Sequence, residues 1–443
     1  MKPASSPLLQ SMVRVCGLAL LVVAVGLSPL RATLEAGAEG GESLRLNATE
    51  CGAIGEGVAL NTSFIQSAID RLAAGGGGTL IVPPGVFVSG ALFLKPRVNL
   101  RLEKNAVLRA STDVAAHFPA RRTRIEGHFE ESFTPALINA DGCDGLRITG
   151  DGTLDGDGRK IWDEFWRLRN AAADKNGFRN LAIPRTRLAL IENSRDVVIE
   201  GVTFKDSQFW NLHLYRCRDV LVKSARFAVP DDYKQAPSTD GIDVDSCQDV
   251  VVEGCWFSVT DDCIALKGTK GPLALEDRES PPVERVRVRD CVFQRGHAAV
   301  TFGSEATVVR DVRVEHCRVL GAMVVANFKL RADTPQCYEK IRYQDITLES
   351  SAGAFVTMQP WKQYLDLKGL APPRSVVRDV TFSGLRGRFG SFGVISGNPG
   401  QTEITGVRFE DVDVNFARSK LFVWAGTEIR FERVNVNGAP YLP

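Results

Sequence analysis

A ten-residue phrase recurs along the chain and restricts its fold more than any other feature. It reads RDVVIEGVTF from Arg195, RDVLVKSARF from Arg218, QDVVVEGCWF from Gln248, ERVRVRDCVF from Glu284 and RDVRVEHCRV from Arg310. Further copies begin at Glu339, Arg378 and Thr405, and an early one, DGLRITGDGT, begins at Asp144. Successive starts lie 23 to 39 residues apart, except for a gap of 51 after the first. Within each phrase apolar and polar residues alternate with a period of two, the pattern of a strand with one buried face. No helical crossover pattern separates the copies. A propeller needs four strands per blade and a period of about 40–50 residues. An antiparallel sandwich gives no reason for one phrase to recur. In a parallel β-helix each phrase is one strand of one coil, and like positions stack about 4.8 Å apart. The expected fold is all-β, a parallel β-helix solenoid.

The cysteines fit such stacking. Of ten in the chain, none forms a CxxC pair or a Cys–His cluster with zinc spacing, so a metal role is excluded. Cys255, Cys291 and Cys317 share one inward slot of the phrase, and Cys143, Cys217 and Cys247 share another just before it. These six are expected as buried free thiols, while pairing of Cys51, Cys263 or Cys337 stays open. A solenoid also needs its open end covered. LNTSFIQSAIDRLAAGGGG reads as an amphipathic helix, capped by Asn61 or Thr62, with Phe64, Ile65, Ala68, Ile69 and Leu72 on one face and Gly75 at its end. Residues 157–185, which include KIWDEFWRLRN, break the repeat and read as an excursion with some helix.

With 54 basic and 53 acidic residues the formal charge is +1, which argues against a nucleic-acid or membrane-surface binder. The first 35 residues stand apart. Lys2 and Arg14 precede VCGLALLVVAVGL, and small residues follow, the order of a secretory signal. Cys16 is misplaced for a lipid-modified cysteine at a cleavage site. The expectation is a signal peptide over 1–35, a β-helix domain over 45–443, and a secreted or periplasmic monomer with no membrane attachment after cleavage.

Four successive coils carry polar residues just before an inward strand: STDGIDVDS, VTDDCIALKG, RGHAAVTFGSE and NFKLRADT. Asp240 and Asp261 are 21 residues apart, about one coil, and His297 follows 36 later, with residues 268–282 as the loop that accounts for the excess. Stacked, Asp240, Asp261, Asp262, His297, Lys329 and Arg331 would form a charged stripe. Three neighbouring carboxylates suit hydrolysis of a glycosidic bond: one keeps a proton for the leaving oxygen because its neighbours raise its pKa, and the others activate water. Carboxylates on adjacent coils are expected to stand far enough apart to hold that water between them. Lys329 and Arg331 suit a substrate bearing a carboxylate. Lys267 is a further contact for an acidic sugar, and His213 and Trp210 in FWNLHLYRC, about one coil earlier, are candidates to line a sugar subsite.

At these residues the chain resembles family 28 of the glycoside hydrolases, the polygalacturonase and rhamnogalacturonan hydrolase group. The family's NTD, DD, GH and RIK motifs correspond to Ser238-Thr239-Asp240, Asp261-Asp262, Gly296-His297 and Lys329-Leu330-Arg331, and the opening from Cys51 is similar too. The resemblance implies a single-stranded right-handed parallel β-helix of the pectin lyase type, with inverting hydrolysis of α-linked galacturonides and no metal or other cofactor. It makes Asp261 the general acid, Asp240 and Asp262 the holders of the water, and His297 the support of the acid. Lys329 and Arg331 would take the substrate carboxylate. Ser238 departs from the family's Asn, Ala298 from its Gly, and the basic pair is reversed, which leaves homogalacturonan and rhamnogalacturonan both open as substrates. Two rivals remain: a calcium-dependent pectate lyase on the same fold, and a non-catalytic glycan-binding β-helix. The excursion and the loop at 268–282 could wall off the ends of a cleft, which favours action at chain ends.

Overall fold

The computed structural model describes residues 44–442 apart from 176, 425 and 426, and the expected signal segment lies outside the described residues. Among the described residues, 34 strands belong to one hydrogen-bonded network, and each pairs in parallel with its equivalent in the coils before and after, save the last pair. The result is a parallel β-helix. The phrase register is direct: Val197 stands level with Val220, Val250, Val286 and Val312 on successive coils.

Three columns explain why the phrase recurs. The closing phenylalanines Phe204, Phe227, Phe257 and Phe293 stack inside the barrel with centroids 4.9, 5.0 and 5.3 Å apart. Each is at most 1 % exposed and stabilises the fold by about 1.5–3 kcal/mol. The second residue of the phrase takes a left-handed backbone, with φ 54 at Asp196, 56 at Asp219, 54 at Asp311 and 55 at Asp379. Asp tolerates that conformation better than most residues. Arginine at the fourth position of the previous coil then grips this Asp with two hydrogen bonds: Arg147 on Asp196, Arg287 on Asp311 and Arg342 on Asp379. The phrase is therefore a clamp between coils as well as a strand. The nine described cysteines are unpaired, and the six in the two inward slots are buried.

Helix α1 (Thr62–Ala74) packs on the first strands of the solenoid, Arg45–Asn47, Gly78–Val82, Leu92–Phe93 and Val98–Leu102, and closes that end. Ile65, Ala68, Ile69 and Leu72 are buried, but Phe64 lies on the surface over Gly52. Asn61 does not cap the helix. Its amide is occupied by the main chain of Ile54 and Ala59. At the far end Ala439–Pro440 turns back antiparallel on Ile429–Val436, and the Tyr441 ring lies against Phe392 and Phe431. The excursion contains helix α2 (Arg159–Ala171), pinned beside the coils by Trp162 Nε1 on Ser207 O (3.0 Å) and Trp166 Nε1 on Gln235 O (2.7 Å). Among the described residues no helix is long and apolar enough to cross a membrane.

Candidate active site

One sheet of the solenoid carries the charged stripe. Its strands β1 (Leu212–Tyr215), β2 (Ile242–Asp245), β3 (Ile264–Lys267), β4 (Ala298–Phe302), β5 (Val324–Arg331) and β6 (Ala354–Trp361) stack in that order. Ile242 is level with Ile264, and Ile264 with Val300. Carried back along the strands, this register sets Asp240 level with Asp262 and Asp261 level with His297. The spacing of 21 between Asp240 and Asp261 is thus one residue short of the true register. Lys329 does not belong to this column. Through Gly303 it stands level with Lys267 at the far ends of the strands, and both long side chains reach back to the acids.

At the mouths of the strands one oxygen from each of Asp240, Asp261 and Asp262 lies within 4.8 Å of the others. This is tighter than the roughly 6.5–9.5 Å that seats a water between opposed carboxyl groups, because adjacent coils are only about 4.8 Å apart. Asp240 and Asp262 are buried, whereas the Asp261 side chain is 26 % exposed. His297, 70 % exposed, places Nδ1 3.2 Å from Asp261 Oδ1, and its main-chain N–H donates to Asp261 O. Lys329 Nζ donates to Asp262 Oδ2 at 2.7 Å. Lys267 Nζ lies 3.6 Å from Asp240, 3.4 Å from Asp243 and 3.7 Å from Glu305. Both ammonium groups sit over indole rings, Lys267 over Trp210 at 4.5 Å and Lys329 over Trp361 at 4.7 Å.

These contacts set the charges. Burial raises the Asp240 carboxyl well above the usual range, and Asp261 and Asp243 raise it further. Burial pushes Asp243 up to about 7 against the pull of Lys267. Burial would raise Asp261 as well, but the hydrogen bond and charge of His297, with Lys329 and Lys267 nearby, hold it well below the carboxylate range. The same bond and charge lift His297 to about 9. The expectation that repulsion alone keeps a proton on Asp261 is therefore corrected: at neutral pH the proton of this pair resides on His297. Glu305 and Asp243, which complete the surroundings of Lys267, were missed. Asp243 stands in the quoted TDGID and Glu305 in FGSE, but alternation marks them only as outward-facing.

The cavity above these groups measures about 370 Å³ and is walled by Phe165, Trp166 and Arg169 of α2, by residues 234–238, and by Trp361 and Gln363. Trp210 lines it and supports Lys267. His213 does not line it. It is fully buried below, where Arg187 Nη1 donates to its Nδ1 (2.8 Å) and burial, with Arg187 and Arg124 nearby, lowers its pKa to about 4. The hairpin Arg121–Ile125/His128–Phe133 covers it, with Arg124 on Asp245 at 2.9 Å. Arg331 is also withdrawn: it is 1 % exposed, makes two 2.8 Å bonds to Asp333, and donates to the carbonyls of Gln363 and Tyr364. Loop 268–282 borders a second cavity on the other side of Glu126 instead of closing the first. The Tyr364 hydroxyl donates to Phe178 O at 2.7 Å and so joins the loop after β6 to the excursion beside the cleft.

The described geometry agrees with comparisons to known proteins. Over 381 residues, covering 83 % of each chain, the sequence is 26 % identical to an exopolygalacturonase of Zea mays. The fold superposes on the crystal structure of an exopolygalacturonase from Thermotoga maritima with a TM-score of 0.70 at 22 % identity, covering 90 % of this chain and 93 % of that one. The fold alone does not entail catalysis, since PfbA, a surface adhesin of Streptococcus pneumoniae, shares it with a TM-score of 0.54 at 17 % identity over 90 % of this chain and 91 % of that one. Residues 79–425 match the family glycosyl hydrolases family 28, and with the three aspartates and the histidine brought together at one cleft the chain belongs to that family of glycoside hydrolases.

Proposed function

We propose that this glycoside hydrolase cleaves α-galacturonosyl linkages at the ends of pectic chains, with inversion. The observation that carries the reading is the exposed Asp261–His297 pair standing over the buried Asp240 and Asp262. The pair is the acid unit. The His297 Nδ1 proton crosses 3.2 Å to the ionised Asp261 and passes from there to the leaving oxygen, so that His297 ends neutral and Asp261 ionised as before. The attacking water is held by Asp240 and Asp262, gives its proton to whichever carboxylate is unprotonated, and bonds to the anomeric carbon as the glycosidic bond breaks. Inversion rests on the family resemblance, not on the carboxylate spacing. Lys329 meets the substrate carboxylate, and Lys267 tunes Asp240 from beneath. With Arg331 tied to Asp333, the sugar acid has one cation of the expected pair to meet. Action at chain ends is supported by the Tyr364–Phe178 contact and by relatives named exopolygalacturonase. We further propose that the enzyme is exported after loss of residues 1–35, acts as a monomer through the β-helix of residues 45–443, and needs no cofactor.

The lyase rival requires a cation among the three aspartates. Lys329 on Asp262 and Lys267 beside Asp240 already supply positive charge there, which favours hydrolysis. The test is product analysis on homogalacturonan and rhamnogalacturonan oligomers, with NMR following the first anomer released. Galacturonate monomer released with inverted configuration and unaffected by a chelator is expected. An unsaturated, ultraviolet-absorbing product refutes hydrolysis. Asp261→Asn should abolish nearly all turnover while oligomer binding persists; full activity in that variant would mean the site is not catalytic.

A further inference from the structure

Arg185 lies behind the cleft wall, 0 % exposed, with its guanidinium between the rings of Phe165 (4.5 Å) and Phe209 (4.3 Å). Among the described residues no carboxylate forms an ion pair with it, and its Nε has no hydrogen-bond partner. A buried charge without a counter-ion is costly, and an apolar side chain of similar volume often serves the fold equally well. Its remaining donors go mainly to segments that frame the site. Nη1 donates to Pro237 O (2.8 Å) and, at 3.5 Å, to Gln208 O, and Nη2 donates to Asn180 O (2.8 Å) and Ser238 Oγ (3.4 Å).

The contacts with Pro237 and Ser238 fall on the turn that presents Asp240. Ser238 in that turn has φ 58, a left-handed conformation that Asn or Gly adopts more readily than Ser. The rest of the turn is fixed carbonyl by carbonyl. Thr260 Oγ1 donates to Ala236 O (2.6 Å), and the Asn211 amide donates to Thr239 O (3.3 Å) and Asp240 O (2.9 Å). Arg185 supplies the missing link between them, at Pro237 and Ser238, and ties the turn to the excursion at Asn180 and Phe165. Burial lowers Arg185 to about 9 while Glu126, Asp261 and Asp240 oppose that shift, so the carboxylates it responds to are those of the cleft.

We propose that Arg185 is a positioning residue for the hydrolysis: it holds the 236–240 turn, and with it Asp240, in the geometry the water attack requires, and contributes little to the stability of the fold. This rests on the reading of Asp240 as a catalytic group. The experiment compares wild type, Arg185→Met, Arg185→Lys and Asp240→Asn on whichever homogalacturonan or rhamnogalacturonan oligomer the wild type cleaves, with thermal midpoints measured on each. Displacing a reacting group by about 1 Å costs on the order of 100-fold in rate. Arg185→Met is therefore expected to lose about 100-fold in kcat with KM within about threefold and an unlowered thermal midpoint, and Arg185→Lys to recover about tenfold of that loss. The proposal is overturned if Arg185→Met keeps kcat within about threefold, if the loss falls on KM, or if the variants unfold and their folded fraction turns over at the wild-type rate; failure of both variants to fold would equally make Arg185 a structural residue. An active Asp240→Asn would instead sink the reading of the site, whatever Arg185 does.

Discussion

Replacing Lys267 by Met tests the charge arrangement at its centre. Lys267 is 6 % exposed, and its ammonium stands 3.4–3.7 Å from carboxylate oxygens of Asp240, Asp243 and Glu305. At an effective dielectric of about 20, one such pair is worth about 4–5 kcal/mol of Coulomb energy before desolvation is counted. Removing one partner of a buried pair costs about 3–5 kcal/mol, because the remaining charge is left uncompensated. Asp240 and Asp243 already take protons readily, so Glu305 is the group left stranded. Burial would raise its pKa, but Lys267, with Lys270 and Arg331, holds it well below the usual range. The sign follows. A depressed carboxylate contributes stability above its unfolded pKa, near 4.5, and loses that contribution as the pH falls through its lower folded value. The Lys267→Met variant lacks this contribution, so its deficit is largest at neutral pH. The expected deficit is about 3–5 kcal/mol at pH 7 and smaller at pH 4, where the stranded Glu305 of the variant is relieved by taking a proton while the wild-type carboxylate beside Lys267 stays ionised. Urea unfolding followed by circular dichroism at both pH values measures it. A deficit below about 1 kcal/mol at pH 7, or one that does not change with pH, would refute the account of Lys267 as the cation that compensates these acids.

Other expectations follow from single contacts. His297 titrates at about 9 in the unliganded enzyme, so kcat/KM should decline as the pH rises through that value, and His297→Gln should remove this basic limb along with most of the rate; a limb that persists in the variant assigns the titration to another group. Asp243, raised to about 7 with both oxygens lacking hydrogen-bond partners, binds more protons folded than unfolded between about pH 4 and 7. Wild type should therefore lose stability relative to Asp243→Asn by up to about 1.4 kcal/mol per pH unit across that window, as thermal midpoints would register. Tyr364→Phe removes the contact with Phe178, and homogalacturonan should then yield some oligomers beside monomer while turnover of a trimer stays within about twofold; an unchanged product pattern would deny this contact a part in restricting the cleft.

The solenoid was legible because its information is repeated. The closing phenylalanine and the left-handed Asp each recur at one phrase position and the inward cysteines at two slots, and stacking turns recurrence into register. The acidic trio was legible for the same reason. What escaped depends on segments outside the repeat. The spacing from Asp240 to Asp261 counts residues along the chain, but only the strand pairing reveals that Asp262 is the residue level with Asp240. Alternation marks His213, Asp243 and Asp245 as outward-facing, and on a bare solenoid outward means solvent. The hairpin Arg121–Ile125/His128–Phe133 lies across that face and buries His213 and Asp245, and nothing in the repeat announces it. Arg331 was read as a substrate contact because it sits two residues from Lys329. Its partner is Asp333, in the same quoted stretch, and the loop carrying Gln363 and Tyr364 completes its coordination from 32 and 33 residues away.

Separating acids from bases along the strand also accounts for how three carboxylates coexist so closely. The aspartates occupy the strand mouths, and the lysines start from the far ends and reach back with their head groups over Trp210 and Trp361. An ammonium over an indole face is held by the ring as well as by the acid it meets, so its position does not depend on substrate. These lysines accompany the burial of Asp240 and Asp262 at the floor of the cavity, and Asp261 with His297 are the more exposed members of its lining. On the proposed roles, a leaving-group oxygen approaching from solvent meets the Asp261–His297 pair before it meets Asp240 and Asp262. That order along the approach supports the proposed division into acid and base, which the carboxylate spacing does not.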